Sequence, residues 1–209
     1  LCPGNQRAGG VQNPDYRETF VFDNDFSALL PEEIAEGEKE ECGGLVRTAA
    51  ERGVCRVVCF SPRHDLTLAE MPQADIRRVI DVWVEQYLDL LSKPFIQAVT
   101  IFENKGAMMG CSNPHPHGQI WANESIPSLL AAEVDSQSRY QKKMGSWMLL
   151  DYLNWELKSG ERLLHENEHF CALVPHWAVW PFETLILPRR AVSRIDELTD
   201  AEKDRVSKG

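Results

Sequence analysis

Hydrophobic side chains recur along this chain with two periods, one typical of helices and one typical of strands. The clearest helical pattern spans residues 72–91, where apolar side chains three or four positions apart predict a helix that faces a core. Its apolar positions are Ile76, Val79, Ile80, Trp83, Tyr87, Leu90 and Leu91. Two further helices are predicted at 129–143 and 147–157. Strands rich in β-branched and aromatic residues are predicted at 19–22, 54–60 and 97–102.

Two pairs of segments are similar in sequence and indicate that one α+β unit is duplicated. DNDFSALLP at 23–31 matches NEHFCALVP at 167–175. The run VVCFSPRHDL from Val57 is echoed by TLILPRRAVS from Thr184, and a strand, a Pro-Arg turn, an acidic segment and a helix follow in the same order. Chance similarity of strand, turn and helix patterns is the alternative explanation.

We therefore predict an α+β fold with one domain at 1–127 and the start of a second at 128–209. The counterpart of the His-rich strand described below would lie past residue 209, so we expect the second copy to be incomplete. The chain begins without Met and ends within an amphipathic pattern, which we expect of a piece of a longer polypeptide. Residues 35–50 are acidic and weakly patterned, and we expect a mobile excursion there.

Composition and charge exclude several classes of partner. The chain has 209 residues and 43% hydrophobic side chains, enough for a core, and no apolar run as long as a spanning helix. A net charge of -10 opposes binding to nucleic acid or an anionic membrane, whereas small phosphates need only a few local donors. Six scattered cysteines in a chain of this size indicate reduced thiols and a cytoplasmic location.

The segment GCSNPHPHGQIW at 110–121 carries the strongest chemistry. In an extended strand, side chains two positions apart share a face, so His115, His117 and Gln119 lie on one side. The two imidazoles would then be about 6.5 Å apart at their Cα atoms. Pro114 and Pro116 cannot donate to a strand ladder, which predicts an edge strand or a strand emerging from a loop.

His117 is the predicted nucleophile, because a neutral imidazole attacks phosphorus and forms a phosphoramidate that passes its phosphoryl group onward. Gln119 suits a transferase, since its amide donates hydrogen bonds to phosphate without titrating. Phosphate-compatible donors crowd the preceding bend, at Asn104, Lys105, Ser112 and Asn113. The alternative is a pair of structural histidines.

Two other groups of residues are candidate ligand contacts. Sulfur and imidazole donors at Cys2, His64 and His115 are compatible with a zinc site folded from distant segments, although such pairs are usually unrelated. Asn24 and Asp25 follow a strand, where they could bind a ribose and a base or form a local Asx turn.

The chain resembles the galactose-1-phosphate uridylyltransferase family of the histidine triad superfamily. FENKGAMMGCSNPHPHGQIWAN resembles its active-site signature, and NPDY, VFDNDF, FSPRH and WPFETLILP resemble its other blocks. The superfamily pattern contains three alternating histidines, and Gln119 replaces the third, as in the uridylyltransferase branch. The resemblance implies a histidine-triad-like antiparallel sheet with flanking helices.

The resemblance also implies a double displacement. His117 would attack the α-phosphorus of UDP-glucose, release glucose-1-phosphate and carry UMP, which galactose-1-phosphate would accept to give UDP-galactose. Gln119 and Ser112 would hold the phosphates. The positions matching family contacts to the uridine nucleotide are Ala8, Asn24, Asp25 and Asn104.

Metals and a partner subunit are implied in the same way. Cys2, His64 and His115 match three zinc ligands, while the first Cys of the family's CxxC would lie two residues before Leu1. Glu133 matches one ligand of a second, structural metal, iron or zinc, whose histidines would lie past residue 209. The family is a homodimer in which the neighbouring subunit completes each site.

Other functions share parts of this pattern. A related nucleotidyl enzyme, either an ADP-glucose phosphorylase or a dinucleoside polyphosphate hydrolase, is the nearest alternative. Gln119 argues against the hydrolase, which would keep a third His there. A non-catalytic nucleotide-binding fragment is an alternative from a different class.

Overall fold

A computed structural model describes residues 1–33, 37 and 39–207 of the chain. The first positions of the excursion predicted at 35–50 (residues 35, 36 and 38) lie outside the described residues. The chain divides into two compact units, Leu1–Pro127 and Ser128–Gly209. Antiparallel sheets with flanking helices confirm the predicted α+β class.

The first unit is built on a four-stranded antiparallel sheet in the order β1, β4, β6, β5. Its elements are β1 (Phe20–Asp23), β2 (Lys39–Glu41), β3 (Val46–Thr48), β4 (Gly53–Cys59), α1 (Gln73–Leu91), β5 (Ala98–Phe102) and β6 (His117–Asn123). The core forms where Val79 and Leu90 of α1 meet Val58 of β4 and Ile120 of β6. The predicted apolar stripe of this helix is thus the face that packs against the sheet.

Strand β6 alternates between a core face and a chemical face. Gly118 and Ile120 are buried, whereas His117, Gln119 and Trp121 are half-buried on the opposite face, which confirms the predicted alternation within the strand. The alternation does not extend to His115, which lies before the strand and is fully buried. The edge-strand prediction is wrong because β6 lies between β4 and β5. The alternative prediction, a strand emerging from a loop, is confirmed because Pro114 and Pro116 both lie in the loop that precedes β6.

Residues 39–48 form a small antiparallel hairpin of β2 and β3, paired from Lys39 with Thr48 to Glu41 with Val46. The mobility expected of this weakly patterned stretch stays a prediction, and the structure adds that its residues 39–48 are paired. The connecting turn places Cys42, Gly43 and Gly44 at positive φ. Both strands are exposed on every residue, so no apolar alternation marks them in the sequence.

The second unit contains α2 (Ser128–Met144), α3 (Met148–Ser159), β7 (Leu163–Glu166), β8 (Phe170–Leu173), β9 (Leu185–Pro188) and α4 (Asp200–Val206). Its strands pair antiparallel in the order β7, β8, β9. Leu153 of α3 packs with Cys171, Leu173 and Leu187 in the core of this unit. None of the described helices in either unit has the length and apolar character needed to span a membrane.

The two sequence matches behave differently in the structure. Strand β4 and helix α1 of the first unit correspond to β9 and α4 of the second. Each unit has a Thr-x-x-Glu capping box, which begins at Thr67 between strand and helix in the first unit and at Thr199 at the helix start in the second. The other match does not extend to structure, because 170–173 form β8 whereas 26–29 form no strand. Burial explains the difference, since Phe170 is buried and Phe26 is exposed.

Candidate active site and metal centre

His117 begins β6 with its imidazole fixed by the backbone two residues earlier. Its Nδ1 lies 2.7 Å from the carbonyl oxygen of His115. A carbonyl only accepts hydrogen bonds, so Nδ1 must be the nitrogen that carries the proton. The lone pair is then on Nε2, which leaves this ring nitrogen available to attack an electrophile.

Gln119 lies two positions along the same face, and its amide is oriented by Trp121. The indole Nε1 of Trp121 donates to Oε1 of Gln119 at 3.3 Å. Because an indole N–H is only a donor, the contact assigns oxygen to this side of the amide and leaves Nε2 as a donor for a ligand. The Trp121 ring packs edge-on against Phe102 at 5.8 Å between centroids.

Three potential metal ligands converge beside this strand. The Sγ of Cys2 lies 3.3 Å from Nδ1 of His64 and 3.4 Å from Nδ1 of His115. Their three donor atoms all lie within 4.8 Å of one another. Tetrahedral zinc with ordinary Zn–S and Zn–N bonds would separate such ligands by about 3.6 Å. The donor set and its spacing therefore fit a metal ion of the zinc class.

His115 is held in the tautomer that a metal requires. It is fully buried, and its Nε2 lies 2.9 Å from the carbonyl oxygen of Ser61 and 3.1 Å from the hydroxyl of Tyr16. The carbonyl again requires the proton on Nε2, which leaves the Nδ1 lone pair directed towards Cys2. Burial lowers the pKa of His115, so its ring stays neutral.

The residues expected to contact a nucleotide come from two adjacent segments. Ala8 lies in a short 3-10 helix, and Arg7 just before it donates to Asp25 at 3.0 Å after β1. The guanidinium of Arg7 also lies 3.8 Å from the ring centroid of Phe22. Asn24 forms the Asx turn considered above, its Oδ1 accepting from the backbone of Phe26 at 3.0 Å.

The bend before β6 carries the remaining candidates. Phe102 pairs with Gln119, so Asn104, two residues later, lies at the end of the sheet where His117 begins. Ser112 is exposed in the loop that leads to His117. Just before Asn104, burial raises the pKa of Glu103, although the charges of Lys105 and His117 act in the opposite direction.

Glu133 belongs to the second unit, where it is exposed on α2. Within the part of the chain that the structure describes, Cys2, His64 and His115 are the group of three or more ligands close enough for a metal, and Glu133 is not among them. Its assignment to a second metal stays a prediction.

Sequence reasoning missed several residues that hold this site. Asn13 and Tyr16 belong to the NPDY block, and both are buried against the Cys2 segment. Trp121 gives no signal in the sequence, because an indole that orients a neighbouring amide cannot be told from one that packs in a sheet. The pairing of Arg7 with Asp25 could have been predicted from the sequence, because an arginine beside a predicted nucleotide-contact position needs a carboxylate partner.

Comparisons with known proteins agree with this geometry. The family model described as the N-terminal domain of galactose-1-phosphate uridyl transferase matches residues 1–127. The model of the C-terminal domain of the same family matches residues 133–208. Together the two models cover most of the chain.

Curated relatives carry the same name. The chain is 52% identical over 202 residues to a galactose-1-phosphate uridylyltransferase of Haemophilus influenzae, covering 97% of this chain and 57% of the relative. It is 50% identical over 205 residues to the enzyme of that name from Rattus norvegicus, covering 98% of this chain and 53% of the relative. The chain thus spans little more than half the length of these relatives.

Solved structures share its architecture. A structure described as a uridylyltransferase superposes with a TM-score of 0.85 at 26% identity, covering 99% of this chain and 63% of that one. An ADP-glucose phosphorylase from Arabidopsis thaliana superposes with a TM-score of 0.75 at 21% identity, over 99% of this chain and 61% of that one, which shows a shared fold alone. The chain belongs to the galactose-1-phosphate uridyl transferase family.

Proposed function

We propose that the protein containing this chain exchanges UMP between UDP-glucose and galactose-1-phosphate through a covalent uridylyl-histidine at His117. The observation that carries the proposal is the contact from His117 Nδ1 to the His115 carbonyl, which leaves Nε2 as an oriented nucleophile. The relatives from Haemophilus influenzae and Rattus norvegicus, both named for this activity, support the choice of substrates.

In the first half-reaction, the Nε2 lone pair forms a bond to the α-phosphorus of UDP-glucose. The bond from that phosphorus to the bridging oxygen breaks, and glucose-1-phosphate leaves with the electron pair. The imidazole gains positive character, which the His115 carbonyl stabilises through the proton on Nδ1.

In the second half-reaction, a phosphate oxygen of galactose-1-phosphate attacks the same phosphorus and the P–N bond breaks, giving UDP-galactose and free His117. The oriented amide of Gln119 donates to the phosphoryl oxygens in both directions. We assign Ser112 to the same oxygens, and Ala8, Asn24, Asp25 and Asn104 to the uridine nucleotide, on the basis of the family resemblance.

We propose zinc for the Cys2, His64 and His115 centre, because sulfur with two imidazoles is a donor set typical of zinc. Bound zinc would join the segments that carry these ligands and fix the loop entering β6. The chemical steps above are carried by His117 and Gln119.

Four further assignments rest on the resemblance and composition. We propose a homodimer in the cytoplasm, without nucleic-acid or membrane partners, in line with a net charge of -10. We propose a second, structural metal, iron or zinc, with Glu133 as one ligand. Exposure of Glu133 on α2 leaves its carboxylate accessible for this role.

The deciding experiment is intact-mass measurement of the full-length natural polypeptide after incubation with UDP-glucose. We expect a gain of one uridylyl group that galactose-1-phosphate removes and that His117→Gly abolishes. His165→Gly is the matched control, because His165 is exposed on β7 in the second unit, and it should label fully.

Two outcomes would reject the proposal. Absence of the adduct in a folded, zinc-loaded sample would exclude covalent uridylyl transfer. Labelling by ADP-glucose but not by UDP-glucose would instead favour the phosphorylase alternative.

A further inference from the structure

Two buried side chains outside the ligand set hold the backbone that carries Cys2. The Nδ2 of Asn13 donates to the carbonyl oxygens of Leu1 and Cys2, both at 3.1 Å. The hydroxyl of Tyr16 donates to the Leu1 carbonyl at 2.9 Å. Asn13 is only 3% exposed and Tyr16 9%, so these bonds are shielded from water.

Tyr16 also reaches the second ligand. Its hydroxyl oxygen lies 3.1 Å from Nε2 of His115, where it accepts the proton that this nitrogen shares with the Ser61 carbonyl. One hydroxyl therefore joins the main chain beside Cys2 to the imidazole of His115. The Tyr16 ring is itself fixed by stacking on Phe20 at 5.0 Å between centroids.

We propose that Asn13 and Tyr16 are positioning residues of the metal centre, which hold Cys2 and His115 at ligand separation before the metal arrives. The inference rests on the metal centre proposed above. Partners behind the ligands orient them and typically change metal affinity by about 10- to 100-fold. Main-chain hydrogen bonds from Gly4 to the Pro14 carbonyl and from Asn5 to the Cys2 carbonyl also hold the Cys2 segment, and the two side chains add the contacts that fix the Leu1 carbonyl and link it to His115.

The test measures zinc affinity by competition with a chromophoric chelator, using the full-length polypeptide and zinc alone as the probe. Tyr16→Phe keeps the ring and its stacking and removes only the hydroxyl. Asn13→Ala removes the donating amide and buries no charge, while the Cys2 carbonyl keeps its bond from the Asn5 main chain and the Leu1 carbonyl its bond from Tyr16. We expect each to weaken zinc binding about 10- to 100-fold, with little change in the unfolding midpoint of the metal-free protein.

Tyr140→Phe is the matched control, because Tyr140 donates its hydroxyl to Asp151 in the second unit, and it should bind zinc normally. Affinities of both variants within twofold of the unsubstituted protein would overturn the inference. The inference would also be overturned if the metal-free variants lost as much free energy of unfolding as the variants lose in free energy of zinc binding. The two side chains would then have a purely structural role. Failure of the unsubstituted protein to bind zinc would overturn the metal centre as well, whether or not uridylylation of His117 is observed.

Discussion

At the scale of single residues, one group that can only accept and one that can only donate hydrogen bonds determine the tautomer of His117 and the orientation of the Gln119 amide. The His115 carbonyl can only accept, which assigns the proton of His117 to Nδ1. The Trp121 indole can only donate, which assigns the orientation of the Gln119 amide. The proposed nucleophile and the proposed phosphate donor are therefore both oriented by groups on or just before β6, before substrate binds.

The role of Trp121 can be tested by Trp121→Phe, which removes the indole N–H. The amide of Gln119 then loses its fixed orientation, and a lost hydrogen bond of about 1 kcal/mol corresponds to about a fivefold slower uridylylation of His117. Single-turnover rates with UDP-glucose would measure this change.

Trp83→Phe is a suitable control for the same chemical deletion. The Nε1 of Trp83 is buried without a hydrogen-bond partner among the described residues, so its loss should leave the rate of uridylylation unchanged. Equal rates for Trp121→Phe and the unsubstituted protein would contradict the orienting role of the indole.

Residue types and alternation could be predicted from the sequence, but orientations could not. The shared face of His117 and Gln119 followed from the strand period alone. The donors and acceptors opposite them could not be predicted, because a carbonyl direction or an indole contact depends on the folded backbone. Asn13 and Tyr16 lay within a recognised block, yet nothing in their spacing indicated which ligand they hold.

At the scale of elements, the close approach of β6 to its neighbours requires Gly118. A Cβ at this position would meet the Phe60 ring at 3.0 Å and the Phe102 carbonyl oxygen at 3.1 Å. Phe60 is 2% exposed, and the Phe102 carbonyl is part of a paired strand, so neither moves easily. The glycine of the HPHGQ motif is therefore a packing requirement of the sheet.

Gly118→Ala should accordingly lower the free energy of unfolding by about 1–3 kcal/mol, as overpacked cores do. Urea denaturation followed by fluorescence would measure it. Gly37→Ala is the control, because a Cβ at Gly37 meets no atom within 4 Å and the substitution should be nearly neutral. Gly145→Ser would be less informative, because Gly145 has a positive φ. A fully stable Gly118→Ala variant would show that the strands can separate to accommodate a methyl group.

The capping box of α4 contains a buried charge whose effect depends on pH. Glu202 is 3% exposed and accepts from Arg190 at 2.5 and 2.7 Å and from the Thr199 backbone at 2.7 Å. The Arg190 guanidinium is the main cause that lowers the pKa of Glu202 from 4.5 to about 2. A lowered pKa stabilises the fold above about pH 4.5, and this stabilisation is lost as the pH falls through about 2.

Glu202→Gln should therefore reduce the free energy of unfolding by about 1.5–3 kcal/mol at pH 7, as for a lost hydrogen bond to a charged group. Denaturation at a series of pH values should show this difference narrowing between about pH 4.5 and 2. Glu166→Gln removes an exposed partner of Arg189 and serves as control, with a change below about 1 kcal/mol. A difference independent of pH would contradict the charge-based explanation.

Elements with a buried face were predictable, and the exposed ones were not. Helix α1 and strand β4 follow from apolar patterning because each packs one face or both into the core. The β2 and β3 hairpin escaped prediction because its strands bury nothing. DNDFSALLP does not form the strand that its counterpart at 170–173 forms, and local sequence does not reveal whether its Phe is buried.

At the scale of the whole molecule, sheet topology brings distant residues into one centre. Strands β4 and β6 are antiparallel neighbours, and Cys59 at the end of one pairs with His117 at the start of the other. His64 after β4 and His115 before β6 therefore lie at the same end of the sheet. Cys2 joins them from the N-terminal segment, an approach that spacing in the sequence could not predict.

This arrangement makes metal removal a test of the first unit. If zinc joins three segments, then at free zinc about 100-fold above its dissociation constant it should stabilise that unit by about 2.7 kcal/mol. Chelation of the full-length polypeptide should remove this stabilisation and lower the thermal midpoint. Cys2→Ser should abolish the response to chelator, whereas Cys42→Ser, at an exposed thiol in the hairpin, should retain it. A response in Cys2→Ser as large as in the unsubstituted protein would mean that the stabilising metal lies elsewhere, because the sulfur ligand of this centre would then be dispensable.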